Sequence, residues 1–383
     1  MLDLMQIPLK SADRNYSHPV IIAGGPGASN PEPLADFIDA FVLGEGEEVI
    51  GEIIDAFKQC AGKTGARNRN EILNCLKNIP GVYVPSFYAV TYNADETIKE
   101  VIPKNGAPAQ VKNRMLADIS KARIPLKPVV PFIETVHDRV SLEIQRGCTH
   151  GCRFCHAGMT ARPLRMRKQR EILDAAKESV QNTGYEEISL ISLSSADYPE
   201  IANLAQSISN SLSDSYVSIS IPSSRIDNFS IELGKVLQEV RRSSLTFAPE
   251  AGTDRLRAVI NKLCGTEDLV RTAEAAFREG WKRIKLYYMI GLPTETYADL
   301  DGIIKEVRTI ADIGRRIHRS RDAVSVSIGA FVPKAHTPFQ WIKMDSIKEM
   351  SDKIYYLKNQ IGSYMKWHDV EGAYIEAIFA RGD

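Results

Sequence analysis

The segment RVSLEIQRGCTHGCRFCHAG (139–158) joins a strand pattern to a loop of unusual composition. Its first part, 139–147, predicts a β-strand. The loop that follows contains Cys148, Cys152 and Cys155, which are three of the six cysteines in the chain. Three residues separate the first pair and two separate the second, so we ask what chemistry needs three thiols so close together.

From this strand onward, strand and helix signals alternate at a regular rhythm. The strand segments are 139–147, 186–198, 215–227, 243–252, 282–296 and 322–339. Repeated strand–helix units predict parallel strands joined by right-handed crossovers. We therefore predict an α/β fold in which residues 139–342 form a partial TIM-like (β/α)6 barrel. Polar residues and glycines gather where the strands end, which is the edge that carries the active site in βα barrels.

Thiolates are ligands for zinc and for iron–sulfur clusters. A closed structural zinc site needs four ligands, whereas three thiolates on a cubane cluster leave one iron open to an exogenous ligand. Other interpretations remain at this point: a zinc site completed by His150 or His156, a redox disulfide, or a chance spacing. The position of the triplet, directly after the first strand of the array, favours the cluster.

Composition limits the function classes. The chain has 383 residues, and its 48 lysines and arginines balance 48 aspartates and glutamates, so no overall charge favours nucleic acid or an anionic membrane. No apolar run approaches the roughly 20 residues of a membrane-spanning helix. The N-terminus lacks the basic and apolar regions of a signal peptide. We expect a cytoplasmic protein with reduced thiols and no membrane partner.

CTHGCRFC carries the CxxxCxxC pattern and resembles the radical S-adenosylmethionine (SAM) superfamily. The resemblance implies a [4Fe-4S] cluster held by Cys148, Cys152 and Cys155, with SAM bound at the open iron. It further implies reductive cleavage of SAM to a 5′-deoxyadenosyl radical that acts on an unknown substrate, and therefore a reducing electron donor. Phe154 occupies the position where the family usually has an aromatic residue near the adenine.

The resemblance covers about 140–342, and it assigns SAM contacts to residues after the second and third strands. SLSSADY (192–198) replaces the usual Gly-Gly-Glu, so Ser194 and Ser195, together with Asp197, are candidates to accept from the SAM ammonium. The alternative is a helix N-cap. Arg225 is a candidate for the SAM carboxylate, with a surface pair to Asp227 as the alternative.

After the fourth strand, APEAGTDRLR resembles a segment of radical methylthiotransferases, which makes Glu250 and Thr253 candidates for the ribose. Thr253 is equally suited to cap the next helix. After the fifth strand, Gly291 and Pro293 shape a turn against which the adenine can lie, or a loop leading to a helix capped by Thr294 or Thr296. His336, in FVPKAHTPF, either faces the substrate or has a structural role.

The N-terminal string GGP…PEP…GEGE resembles the closing half of a cobalamin-binding-like domain. We therefore expect a partial doubly wound α/β segment at 1–60, a linker with a small hairpin at 61–138, and a truncated helical extension at 343–383. The cobalamin signature Asp-x-His-x-x-Gly is absent, so cobalamin belongs at most to a longer parent protein. The match is to an uncharacterised group of radical SAM proteins with such a domain.

Two other functions stay open from the sequence. One is methylthiotransferase-like modification of RNA or protein, although Cys60 and Cys75 are too few for the second cysteine trio of that class. The other is a non-enzymatic iron–sulfur protein. The basic run RPLRMRKQR (162–170) is typical of the solvated start of a helix or of the lining of a pocket that binds an anion. We expect no nucleic-acid partner.

Overall fold

The computed structural model describes residues 1–60, 68–133, 135–222, 233–234, 245–320 and 322–382. The chain folds into two compact units. One consists of Met1–Ala117 with Ala377–Asp383, and the other is Asp118–Glu376.

The first unit contains a small mixed sheet and a hairpin. Its strands are β1 (Ile22–Ala23), β2 (Ala40–Val42), β3 (Val82–Tyr83), β4 (Tyr88–Tyr92) and β5 (Ile98–Pro103). β2 pairs parallel with β1 and antiparallel with β3, while β4 and β5 form the hairpin. Helices α1 (Val49–Cys60) and α2 (Arg69–Leu76) pack their apolar faces on this sheet. A disulfide joins the two helices through Cys60 and Cys75.

Two features of this unit differ from the sequence prediction. A doubly wound segment would join the parallel strands β1 and β2 through an α-helix, but PEPLADFIDAF forms a 3-10 turn at Glu32–Leu34. Pro33 explains this, because it lacks an N–H donor and restricts the residue before it. In addition, β3 lies beyond residue 60 yet belongs to the same sheet as β2.

The second unit is built from parallel strands and confirms the α/β barrel class. After β6 (Val140–Glu143), the short strands β7 (Gln145–Arg146) and β8 (Arg165–Met166) pair with each other. The helices are α3 (His156–Thr160), α4 (Gln169–Thr183), α5 (Ile201–Ser211), α6 (Asp254–Val259), α7 (Thr266–Arg278), α8 (Tyr297–His318), α9 (Ile347–Ile361) and α10 (Val370–Arg381). The other strands are β9 (Glu187–Ile191), β10 (Ser218–Ser220), β11 (Leu245–Glu250), β12 (Ile284–Ile290), β13 (Val324–Ala330) and β14 (Met365–Trp367).

These strands form two parallel sheets among the described residues, in the orders β10-β9-β6 and β11-β12-β13-β14. β14 adds a further parallel strand beside β13, in a region where the sequence predicts only a helical extension. With three residues, β14 is too short to give a clear strand pattern in the sequence.

Strand β12 shows how the core fixes the two faces of the second sheet. Ile284, Leu286 and Tyr288 are buried in a cluster with residues of α7 and α8. Since side chains alternate along a strand, Lys285 and Tyr287 project from the opposite face. We call this opposite face of each sheet, turned away from the helices, the inner face. Burying each apolar side chain on the helix side contributes about 1.5–3 kcal/mol.

None of the helices in the described ranges is long and apolar enough to cross a lipid bilayer.

Candidate functional site

The three cysteines lie on a loop whose base is closed by strand pairing. Gln145 pairs antiparallel with Met166, and Arg146 with Arg165. We call residues 147–164 the cysteine loop. Gly147 begins it with a φ of +92°, and a Cβ there would lie 2.6 Å from the Pro163 carbonyl oxygen. Only glycine therefore fits the start of this loop.

The three thiols are free and partly buried. Backbone N–H groups point at two of the sulfurs: His150 N lies 3.5 Å from Cys148 Sγ, and Gly158 N lies 3.3 Å from Cys155 Sγ. Burial raises the pKa of Cys152, opposed by the charge of Lys262. Burial also raises the pKa of Cys155, opposed by the Gly158 N–H. The N–H groups and Lys262 therefore stabilise thiolates at a site that burial disfavours.

This donor set fits a cluster better than a single ion. Within the described part of the chain, no three His, Cys, Asp or Glu side chains are grouped for one metal ion. His150, proposed as a zinc ligand, instead places Nε2 2.5 Å from Asp197 Oδ2. The ring of His156 lies beside that of His336, with 6.4 Å between centroids. Each thiolate of a cubane binds a different iron, so the three sulfurs need not converge on one point.

Residues far along the chain hold the cysteine loop in place. Arg153 donates from its backbone N to Ile260 O at 2.9 Å and from its guanidinium to Val259 O at 2.5 Å. Asn261 Nδ2 donates to Gly151 O at 2.9 Å, and Phe339 N donates to Arg153 O at 3.3 Å. The end of α6 and the segment after β13 thus fix the backbone between the second and third cysteines. We call these contacts the Arg153 clamp.

Glu250 ends β11 beside the thiols. Its φ of +69° is uncommon for a residue with a side chain. Lys262 Nζ lies 3.5 Å from Glu250 Oε1. Burial raises the pKa of Glu250, and the Lys262 charge opposes that rise. The pair therefore forms a polar group, shielded from water, whose charges act on Cys152 and Cys155.

Ser194 and Ser195 follow β9, and both hydroxyls bond within the protein. Ser194 Oγ donates to Asp197 Oδ2 at 2.6 Å, and Ser195 Oγ donates to Leu190 O at 3.0 Å. Neither serine caps α5, since that helix has Glu200 at its N-cap. Asp197 bonds both Ser194 and His150, so it links the loop after β9 to the cysteine loop.

Thr253 adopts the capping geometry that the sequence analysis left open. Its Oγ1 accepts from Leu256 N at 3.2 Å and donates to Asp299. Gly291 has a φ of +79°, and its N–H donates to Glu295 Oε2 at 2.7 Å. These bonds shape the turn that contains Pro293. Thr296, and not Thr294, caps the following helix.

Phe154 packs against an apolar cluster assembled from several strand-end loops. The cluster contains Ala251, Leu256, Ile260, Leu292, Phe331 and Phe339. His336 follows β13 with a φ of +62°. Arg225 lies outside the described residues.

Three residues of this site were missed by the sequence analysis. They are Arg153, Asn261 and Lys262. Arg153 and Asn261 make contacts across about 100 residues, whereas Lys262 pairs with Glu250 and its charge acts on Cys152. Arg153 and Lys262 read as ordinary surface cations in a sequence. One local signal is present: Asn261 and Lys262 come just after α6. Asparagine is favoured where a residue with left-handed backbone ends a helix, and Asn261 has a φ of +56°.

Two family descriptions match the chain. "Radical SAM superfamily" matches residues 142–307, and "Radical SAM proteins, N-terminal" matches residues 1–85. A curated relative is the uncharacterized protein MJ0966 of Methanocaldococcus jannaschii, which is 28% identical over 98% of this chain and 74% of its own length.

Solved structures with similar folds include the radical SAM methyltransferase TsrM from Kitasatospora setae, with cobalamin and a [4Fe-4S] cluster bound. It is 14% identical, with a TM-score of 0.57 over 83% of this chain and 58% of that chain. The cobalamin-dependent SAM radical enzyme OxsB is 12% identical, with a TM-score of 0.53 over 88% of this chain and 49% of that chain. These likenesses concern the fold. The chain spans only about half the length of either enzyme.

Proposed function

Since the chain belongs to the radical SAM superfamily, a superfamily of enzymes, we propose that Cys148, Cys152 and Cys155 hold a [4Fe-4S] cluster beside a SAM site. When bound and reduced, such a cluster supplies an electron to SAM, whose cleavage gives a 5′-deoxyadenosyl radical. The reaction that the radical begins is unassigned.

One observation carries the proposal: three free thiols lie on one loop that is held by N–H···S contacts and by the Arg153 clamp. A loop fixed in this way positions the sulfurs without help from the metal. Preorganised ligands lower the entropy cost of binding.

Other residues at the strand ends would bind and orient SAM. We propose that the ammonium group of SAM binds at the loop of Ser194 and Ser195, where the Asp197 carboxylate supplies a negative charge. Glu250 would accept from the ribose hydroxyls, and Arg225 would meet the SAM carboxylate. The roles of the serine loop and of Glu250 rest on the placement of the loops after β9 and β11 near the thiols, and the role of Arg225 rests on the sequence resemblance alone.

The remaining candidates would act on the adenine and on the shape of the site. Phe154 and the turn of Gly291 and Pro293 would pack against the ring and exclude water. Thr253 would act indirectly, since its hydroxyl caps α6 and thereby fixes the loop that carries Glu250.

Anaerobic reconstitution tests the proposal. We expect the wild-type protein to bind one [4Fe-4S] cluster and, with dithionite and SAM, to release 5′-deoxyadenosine. Cys152→Ala is expected to lose the cluster absorbance and the nucleoside together. Cys264→Ala is the matched control, because Cys264 is also partly buried and not disulfide-bonded but lies outside the cysteine loop.

Three outcomes would contradict the proposal. A cluster that survives Cys152→Ala would remove the assigned ligand. A cluster without SAM binding would favour a non-enzymatic iron–sulfur protein. Two clusters per chain would favour a methylthiotransferase-like enzyme, for which Cys60 and Cys75 would have to leave their disulfide. The absorbance of the purified protein would also reveal cobalamin, which we do not propose.

A further inference from the structure

The inner face of the β11–β14 sheet carries polar side chains. On β12 and β13 the helix-facing residues are apolar and buried, as shown for Ile284 and Leu286. In the first part of each strand, the residues that alternate with them have hydroxyl, phenol or ammonium groups, whereas Ala248, Met289 and Gly329 follow on the same face further along. The polar residues are Thr246, Lys285, Tyr287, Ser325, Ser327 and Lys366.

The two lysines on this face lack acidic partners in the part of the chain that the structure describes. Lys285 Nζ donates to Tyr287 Oη at 2.5 Å and lies 4.4 Å from the centroid of that ring. Lys366 is exposed on β14. The carboxylate that ends β11, Glu250, is paired with Lys262. The half-buried ammonium of Lys285, without a counter-charge, has an unmet preference for an anion.

The acidic residues on the inner face of the β10-β9-β6 sheet are already neutralised. Arg146 Nη2 lies 2.8 Å from Glu143 Oε2. Arg139 Nη1 lies 3.0 Å from Glu187 Oε1, and Ser220 Oγ donates to the same carboxylate oxygen at 2.8 Å. Among the described residues of the inner faces, the unbalanced charge is therefore positive and belongs to Lys285 and Lys366.

Strand register brings these groups within reach of one ligand. Tyr287 is opposite Ser327, and Ser327 is opposite Lys366. Lys285 lies two residues earlier on β12. Two strand spacings separate β12 from β14, which is about 10 Å. Each lysine has a flexible four-carbon stem, so both ammonium groups can approach an anion placed between them.

We propose that this group, which we call the lysine–tyrosine subsite, binds an anionic part of the substrate, either a carboxylate or a phosphate. Lys285 and Lys366 provide the charge. The Tyr287 hydroxyl accepts from Lys285 and keeps its own proton to donate. Ser327 adds a second hydroxyl in the same row. The inference deepens the proposed function, since the ligand is the substrate of the same radical enzyme.

Anion binding to the reconstituted, SAM-saturated protein tests the subsite, because SAM then occupies the site for its own carboxylate. We would titrate inorganic phosphate and succinate separately by calorimetry, at constant ionic strength set with potassium chloride. Saturable binding of at least one probe is expected, and Lys285→Gln should weaken it at least tenfold. Preferential binding of phosphate indicates a phosphorylated substrate, and preferential binding of succinate indicates a carboxylate.

Lys282→Gln is the matched control, since this exposed lysine precedes β12 on the same segment. It should leave the binding of both probes unchanged. Binding of neither probe by the wild type, or equal binding by Lys285→Gln and the wild type, would overturn the subsite. Circular dichroism of each variant separates lost binding from lost folding.

Failure of the subsite and failure of the proposed function are distinguishable. SAM cleavage without substrate reports on the cysteine loop, whereas probe binding reports on the lysine–tyrosine subsite. Cleavage without probe binding would overturn the subsite alone. Probe binding that depends on Lys285, in a protein that fails to cleave SAM, would support the anion site and overturn the radical chemistry.

Discussion

Arg257 is almost fully buried, and its Nη2 lies 2.7 Å from both carboxylate oxygens of Glu306. Tyr288 Oη donates to the same carboxylate at 2.8 Å. This network ties α6 to α8 and β12, and so fixes the segment that carries the Arg153 clamp. The sequence gives no sign of it, because a charged residue on a helix is normally solvated.

Replacing Arg257 with methionine is expected to lower the free energy of unfolding by about 3–5 kcal/mol, because it leaves a buried carboxylate without its cation. The measurement is denaturant unfolding of the second unit, followed by a local probe such as Trp281 fluorescence. Arg271→Met is the control, since that exposed pair with Asp268 should change stability by less than about 1 kcal/mol. Equal effects of the two substitutions would show that the buried pair is not stabilising.

Asn261 combines a left-handed backbone with a hydrogen bond to the cysteine loop. Asn261→Gly keeps the backbone conformation and removes only the amide contact with Gly151. Asn261→Ala removes the contact and adds backbone strain of about 1–2 kcal/mol. We expect both variants to release iron to a chelator faster than the wild type, with Asn261→Ala the faster. Unchanged release from both would mean that the clamp does not hold the loop.

The loop after β11 lies directly against helix α8, and two glycines permit this. A Cβ on Gly252 would lie 2.2 Å from Asp299 O, and a Cβ on Gly302 would lie 2.2 Å from Gly252 O. The close approach brings Thr253 within hydrogen-bonding distance of Asp299. The position of Glu250 at the site therefore depends on how tightly a loop packs on a helix.

Gly252→Ala is expected to lower the melting temperature, because the methyl group pushes the loop away from α8 at a cost of about 1–3 kcal/mol. Gly51→Ala in α1 is the matched control. No atom lies within 4 Å of a Cβ there, so alanine should stabilise that helix by about 0.5–1 kcal/mol. A higher melting temperature for Gly252→Ala than for Gly51→Ala would contradict the close packing of this loop on α8.

The strands and helices of the second unit can be predicted from local sequence patterns, whereas the contacts within the site cannot. The triplet of Cys148, Cys152 and Cys155 was found from spacing alone, and the barrel class from the strand–helix rhythm. Lys262 and Asn261 were missed because their function depends on a neighbour more than 100 residues away. β14 was missed since three residues carry too little periodicity, and its pairing with β13 is a tertiary effect.

The first unit is organised around one buried carboxylate. Asp39 lies 2.9 Å from Arg14 Nη1, pairs with Arg69, and accepts from Ile21 N at 2.6 Å. Burial acts to raise the pKa of Asp39, but hydrogen bonds from Arg69, Ser11 and the Ile21 N–H outweigh it, so the pKa is lowered. The carboxylate thus stabilises the folded state when it is ionised.

This arrangement predicts acid sensitivity in the first unit. The lowered pKa means that the stabilisation is fully present above the unfolded pKa of about 3.9 and is lost as the pH falls through the folded value. The protection factor of the Ala40 amide against hydrogen exchange, which removes the intrinsic pH dependence of the exchange rate, should therefore fall at acid pH. Asp39→Asn should lower protection at neutral pH and flatten this acid dependence.

Asp312→Asn provides the comparison, since Asp312 is exposed and pairs with Arg315 at 3.2 Å. It should leave protection in the first unit unchanged at every pH. An acid dependence that persists unaltered in Asp39→Asn would assign the effect to another group.

The Arg153 clamp also sets an order of events in the cell. The partners of the cysteine loop, 258–261 and Phe339, are translated roughly 100 and 190 residues after Gly151. When the three cysteines leave the ribosome, the segments that contact the cysteine loop have not yet been translated. For the cluster proposed above, we therefore expect iron to be bound only after translation has passed Phe339, because a shorter nascent chain lacks segments that hold the cysteine loop.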